Sequence, residues 1–235
     1  MESLALICPC NIEYDKCKEV FELTSENEIQ GRAISEGEIN NRKIYAVKAG
    51  PGKINTASTT QVVIDKLDPD YIVDVGAAGS LSDKIDISTI IIGSYSYEYD
   101  VYPTSELANV SEDIKSKTVY TEDDNLEIIE SFLNEVPDEK IILGNIACGE
   151  EDVDNTVFRD LLQMRLNAHC CNWESSAILK TANLNNIKAM SFRVITDMAD
   201  QNMQEKYSKN NERCLIYLFT ILKNYINSEY IAQID

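Results

Sequence analysis

The sequence predicts an α/β fold: a three-layer α/β/α sandwich around a central mixed, mostly parallel sheet. Three observations lead there. Short strand-like runs alternate along the chain with helical stretches, the pattern that lays helices over the faces of a sheet. Several runs are nearly unbroken Val, Ile and Ala, as in Tyr71-Ile72-Val73, which suits strands covered on both faces. The chain has 235 residues, enough for a sizeable core, with no repeat, low-complexity tract or linker to divide it. A single domain over residues 1–235 is expected.

The elements follow in order. Residues 4–8 are apolar and read as a first strand. The start of the chain has no basic segment, and its apolar run is too short for a signal peptide. Residues 21–41 suggest an early hairpin or excursion rather than a helix. A strand over 42–48 meets Ala49-Gly50-Pro51-Gly52, and a helix over 53–67 follows. Asp68-Pro69-Asp70 then punctuates the passage from helix to strand. Strands are expected over 71–75, 89–93, 140–147 and 187–195. Helices are expected over 125–134, 156–166, 174–183 and 204–227. The polar, breaker-containing stretch 101–121 reads as a long loop, and the last five residues as a fraying end.

Composition narrows the partners. Forty acidic residues against 21 basic ones give a formal charge of −19. Phosphate backbones and anionic membranes are bound by clustered Lys and Arg, so nucleic acid and membrane partners are excluded. A near-neutral small molecule fits best. No apolar run reaches the roughly 18–20 residues that span a bilayer. Seven cysteines make an odd number for a disulfide framework, which points to a reducing cytoplasm.

Two acidic patches hold the candidate chemistry. Thr196-Asp197-Met198-Ala199-Asp200 closes the strand 187–195, where open α/β sheets place their ligands. Trp173-Glu174-Ser175-Ser176-Ala177 opens a helix. Carboxylates there can act as acid, base or hydrogen-bond acceptor, or be ordinary surface charge. Gly50 and Gly52 at a strand–helix junction permit close backbone approach to a ligand, or form a plain turn. Gly76-Ala77-Ala78-Gly79 leaves room either for a flat ligand or for tight packing. His169, the only histidine, has no partner motif and reads as structural, while Cys10 and Cys148 read as small buried apolar residues. The spacings Cys8/Cys10 and Cys170/Cys171 are not those of a zinc site.

In combination these segments resemble the nucleoside phosphorylase/nucleosidase family. The ordered set is Glu13 after the first strand, Gly50-Pro51-Gly52-Lys53, Gln61, Pro69-Asp70, Gly76-Ala77-Ala78-Gly79, Cys148-Gly149-Glu150, Glu174-x-x-Ala177 and Asp197-x-Ala199-Asp200. Within that family the methylthioadenosine/S-adenosylhomocysteine nucleosidases are most similar. The resemblance implies hydrolysis of a purine nucleoside's N-glycosidic bond without metal or cofactor. It implies that Asp197 is the acid at the purine N7, Glu174 the ribose clamp and Glu13 the base that activates water. It adds Ala78, Gly79, Val153, Thr196 and Arg193 to the substrate site. Pro51 and Tyr207 would line the 5′ end, a loop near Val101 and Tyr102 would reach a second subunit, and the enzyme would be a homodimer.

Phosphorolysis and nucleoside binding without turnover are the competing readings. Family phosphorylases carry an Arg in the loop after the first strand; this chain has none before Arg32, and no basic residue between Lys84 and Lys115. The chain also departs from the nucleosidases. Asp152 stands where they have the Phe that stacks on the base, and a carboxylate there would favour a donor edge. Trp173 replaces a Met and either supplies the lost aromatic face or fills core space. Tyr97-Glu98-Tyr99-Asp100 replaces the usual His-Asp, and Thr196 replaces a Ser while keeping the hydroxyl.

Overall fold

Ten residues from Tyr71 to Ser80 form the strand around which the rest is arranged, and all but Ala77 are buried. They owe this to neighbours on both edges and helices on both faces. A computed structural model describes residues 3–101, 115–117, 131–136, 140–228 and 230. Among these residues the strands are β1 (Ser3–Cys8), β2 (Ser25–Ile29), β3 (Arg32–Ile39), β4 (Arg42–Lys48), β5 (Tyr71–Ser80), β6 (Ile90–Glu98), β7 (Lys115–Lys117), β8 (Ile141–Cys148), β9 (Ala168–Asn172) and β10 (Lys188–Asp197). The helices are α1 (Asn11–Phe21), α2 (Lys53–Leu67), α3 (Thr156–Leu166), α4 (Ser175–Leu184) and α5 (Met203–Asn227), with a short helical segment over 131–135.

One mixed sheet contains every strand. Its open wing runs β2–β3–β4–β1–β5. Beyond β5 the ladder closes on itself through β10, β6, β8 and β9, because β5 pairs with both β10 and β9. The pairs β1/β4, β1/β5, β5/β10, β6/β8 and β8/β9 are parallel; β2/β3, β3/β4, β5/β9, β6/β7 and β6/β10 are antiparallel.

Strand alternation sends side chains to two separate cores. Leu4, Leu6, Val73, Val75, Met190, Phe192 and Val194 pack on one face with Phe21 of α1 and with Cys214, Leu218, Phe219 and Leu222 of α5. Ala5, Ile7, Ile72 and Ala189 pack on the other with Val63 of α2 and Ile178, Leu179 and Ala182 of α4. These are the expected three layers. Burial of the central strands on both faces explains their unbroken apolar runs.

The expected strands all form, several extended at their carboxyl ends. Residues 21–41 contain the β2/β3 hairpin. Helix α1 is an addition, since the sequence reading placed no helix between residues 8 and 21. Strand β9, between α3 and α4, is another addition. Of the expected 101–121 loop, residues 115–117 form β7 and residues 102–114 and 118–121 lie outside the described residues. So do 125–130 of the expected helix 125–134, and Tyr102. No helix among the described residues is long and apolar enough to cross a membrane.

Candidate active site

Strand β1 runs beside β5 only as far as Ile7↔Asp74, then the chain turns into α1. The edge of β5 beyond Asp74 is therefore free to line a cavity of about 270 Å³, set at the carboxyl ends of the central strands. All the expected site residues except Arg193 line it: Glu13, Pro51, Ala78, Gly79, Asp152, Val153, Trp173, Glu174, Thr196, Asp197 and Tyr207.

Glu13 enters from the first turn of α1 and is 3% exposed. One carboxylate oxygen accepts from the Cys10 N–H at 2.7 Å, the other from the Ala77 N–H at 2.9 Å. The first of these closes the start of its own helix, as Glu at the third helical position does in a capping box. The second needs Gly76, whose φ is +152°; a Cβ there would collide with the Glu13 carboxylate and stand 2.8 Å from an Arg193 nitrogen. Burial raises the proton affinity of Glu13, opposed by Arg193 and by the two N–H donors.

Glu174 precedes α4 and is 7% exposed. Asn172 organises its turn: the Asn172 side-chain oxygen Oδ1 accepts from the N–H groups of Glu174 at 2.9 Å and Ser175 at 3.0 Å. One Glu174 oxygen accepts from the Gly52 N–H at 3.1 Å, and the other lies 3.7 Å from Arg193. Gly52, at φ +90°, lets the start of α2 point its N–H at this carboxylate. The Gly-Pro-Gly turn therefore binds an anion, and the anion is the chain's own. Burial, opposed by Arg193 and reinforced by Glu13, pushes Glu174 up to about 7.

Arg193 departs from its expected place. It is 1% exposed and lies beneath the cavity rather than along it. Its guanidinium grips Asp74 through two hydrogen bonds, one of them 3.1 Å, while Ser175 and Ser191 hydroxyls donate to the same carboxylate at 2.5 and 2.6 Å. A buried charge pair this well supplied with donors is costly to break. Its remaining nitrogen faces Glu174 and the Ala77 carbonyl. Arg193 thus acts on the cavity through the carboxylates above it.

Asp197 sits at the far wall, 7% exposed. The Thr196 hydroxyl donates to it at 3.0 Å and the Ala199 N–H at 2.9 Å. Both favour the ionised form, yet burial outweighs them and raises its proton affinity. A register shift between Ile195 and Asp197 marks this strand end. Gly79 makes the approach possible, as a Cβ there would stand 2.9 Å from Asp197 and 3.2 Å from the Cys171 sulfur. Asp200 takes no part: it accepts from the Asn202 N–H at 2.9 Å and pairs with Lys206 at 2.7 Å.

Cys10, Ala77, Tyr99, Glu151, Cys171, Asn172 and Met203 also line the cavity. The sequence reading singled out neither Cys10 nor Asn172 as lining, because their place in the wall depends on tertiary structure. Cys148 is buried as read, whereas Cys10 is half-buried and exposed to the cavity. His169 is structural: its Nδ1 accepts from the Asn145 N–H at 3.0 Å, and burial lowers its pKa.

Buried carboxylates with raised proton affinity, around a cavity at the ends of an α/β sheet, define an enzyme of the acid–base type. The chain matches the phosphorylase superfamily over residues 3–227 and belongs to that family. It is 27% identical over 212 residues to the 5′-methylthioadenosine/S-adenosylhomocysteine nucleosidase of Buchnera aphidicola subsp. Acyrthosiphon pisum (strain Tuc7), covering 88% of this chain and 90% of that protein. The nucleosidase of the same name from Thermotoga maritima is 23% identical over 206 residues, covering 86% and 88%. Among solved structures, the Helicobacter pylori nucleosidase with butyl-thio-DADMe-Immucillin-A superposes with a TM-score of 0.86 at 19% identity, covering 97% of this chain and 98% of that one. Helicobacter pylori futalosine hydrolase gives 0.86 at 18%, covering 96% and 97%.

Proposed function

We propose that this protein hydrolyses the N-glycosidic bond of a purine nucleoside, with 5′-methylthioadenosine and S-adenosylhomocysteine as the leading substrates. The observation that carries this reading is the set of three buried carboxylates that line one cavity, joined to a lining without Lys or Arg among the described residues. An incoming phosphate would find five acidic side chains and no cationic one in this lining, and the Gly52 and Lys53 N–H groups at the start of α2 already serve Glu174 and Glu150. Water is the nucleophile this lining accepts.

Each carboxylate has a distinct task. Asp197, whose proton affinity burial raises, delivers a proton to N7 as the C1′–N9 bond breaks, so the base leaves neutral. Glu174 accepts from the ribose hydroxyls. Glu13, with each oxygen fixed by a backbone N–H, accepts the proton of a water whose oxygen bonds to C1′. The ribosyl carbon becomes cation-like on the way, and the nearby carboxylates stabilise it electrostatically. Acid and base assistance of this kind is worth roughly 10²–10⁴-fold each. The 5′ substituent lies against Pro51, Met203 and Tyr207. We expect a homodimer with Val101, 37% exposed, near the contact.

A nucleoside panel assayed for base release with and without phosphate tests this. Phosphate-independent release of adenine from 5′-methylthioadenosine is expected. Futalosine belongs in the panel because a structural neighbour is named for it. Release that requires phosphate, or binding without any release, would replace the hydrolase reading with one of its competitors.

A further inference from the structure

Beside the cavity, three segments distant in sequence are tied into a closed ring. The Lys53 ammonium donates to one oxygen of Asp100 at 2.7 Å. The other oxygen of Asp100 accepts from the Glu150 N–H at 3.0 Å. The Glu150 side chain returns to accept from the Lys53 N–H at 2.6 Å. The ring thereby joins the start of α2, the end of β6 and the loop over 149–153. On one side of it Gly52 donates to Glu174. On the other, Asp152 and Val153 line the cavity.

Neighbouring contacts reinforce the ring. Lys53 also donates to Glu98 at 3.1 Å, and Glu98 takes Lys180 of α4, the helix that Glu174 caps. Tyr99, between Glu98 and Asp100, donates to the Gly149 carbonyl at 2.9 Å and to that of Glu151. The Lys53 side chain is only 18% exposed, so these contacts are partly shielded from salt. Without that ammonium, Asp100 would lose the ion pair it makes with Lys53, and Glu98 would keep only Lys180.

We propose that Lys53 is a positioning residue. It holds the Glu174 clamp and the 149–153 loop at a fixed separation, and so sets how tightly the nucleoside is gripped. This rests on reading Glu174 as the ribose clamp. Removing Lys53 lets the two sides part, and a displacement of about 1 Å in a positioning element costs up to about 100-fold.

The test compares Lys53→Met, Lys53→Arg, Asp100→Asn and the Lys53→Met/Asp100→Asn pair. Lys53→Met is expected to raise KM for 5′-methylthioadenosine about 10-fold or more, with a smaller change in kcat. Lys53→Arg should recover most of that loss. The double variant should be no worse than the poorer single one, because contacts within one network are not additive. Trp173, the only tryptophan, lines the cavity, so quenching of its fluorescence by adenosine reads binding without turnover. Lys53→Met with a lowered Tm but an unchanged KM and unchanged quenching would overturn the proposal, as would strict additivity. Wild-type protein that binds adenosine but releases no base would sink the hydrolase reading and leave the Lys53 test standing. Wild-type protein that binds no nucleoside would overturn both.

Discussion

At one part of the cavity wall Asp197 is held by its immediate neighbours, the Thr196 hydroxyl and the Ala199 N–H. At another, Glu13 and Glu174 are held from distant segments by the N–H groups of Ala77 and Gly52, with Cys10 as the one local donor to Glu13, over a buried Arg193 that is itself fixed to Asp74. The Asp197 part is a local turn that carries a carboxylate. The Glu13/Glu174 part is a charge network that exists only once β1, β5, β10 and α2 have come together. One consequence is that chemistry and stability should separate at the first part and merge at the second.

Asp197→Asn is the sharpest way to break this contrast. Base release should fall about 10²–10⁴-fold while the unfolding midpoint stays near that of wild type. A variant that retained turnover would remove Asp197 from the proposed mechanism; one that unfolded would show that the Asp197 turn is not local after all. Next comes Arg193→Met, which leaves Asp74 buried and unpaired. It should cost about 3–5 kcal/mol in urea unfolding, whatever it does to activity. A loss well under that would mean the network contributes little to folding.

The third prediction concerns pH. Glu174 binds its proton more tightly in the folded chain, up to about 7 against an ordinary 4.5. Between those values the folded state holds more protons than the unfolded one, so this group's contribution is full below 4.5 and is lost as pH rises through 7. The Tm of ligand-free protein should therefore decline as pH goes from about 5 to about 8, and Glu174→Gln should flatten that decline. Parallel profiles for the two proteins would place the shift elsewhere.

The same contrast governs what the sequence made legible. Asp197 could be picked out because its strand, hydroxyl neighbour and turn are contiguous. The role of Arg193 could not, because its partner Asp74 lies on β5 and strand register alone brings the two together. Helix α1 escaped notice because its buried stripe, Glu13, Tyr14, Cys17 and Phe21, begins with a charge that a solvent-facing helix would also carry. Strand β9 is five residues long and includes His169 and Asn172, too short and too polar to stand out. The central strands were plain for the opposite reason: double-sided burial gives them long apolar runs that stay visible despite buried polar residues such as Asp74 and Arg193.

The closed ladder has a consequence for how the molecule comes into being. Strand β10 is inserted between β5 and β6, and it emerges from the ribosome after both. Until residues 188–197 are made, two long apolar strand edges lack their neighbour, and such edges recruit other chains. Asp74 also waits in the nascent core for the only guanidinium that pairs with it among the described residues, more than a hundred positions downstream. At roughly 5–20 residues per second that delay lasts several seconds to tens of seconds. The strand that brings Asp197 to the cavity is thus also the one that closes the sheet, so a chain released early lacks both that carboxylate and its last seam.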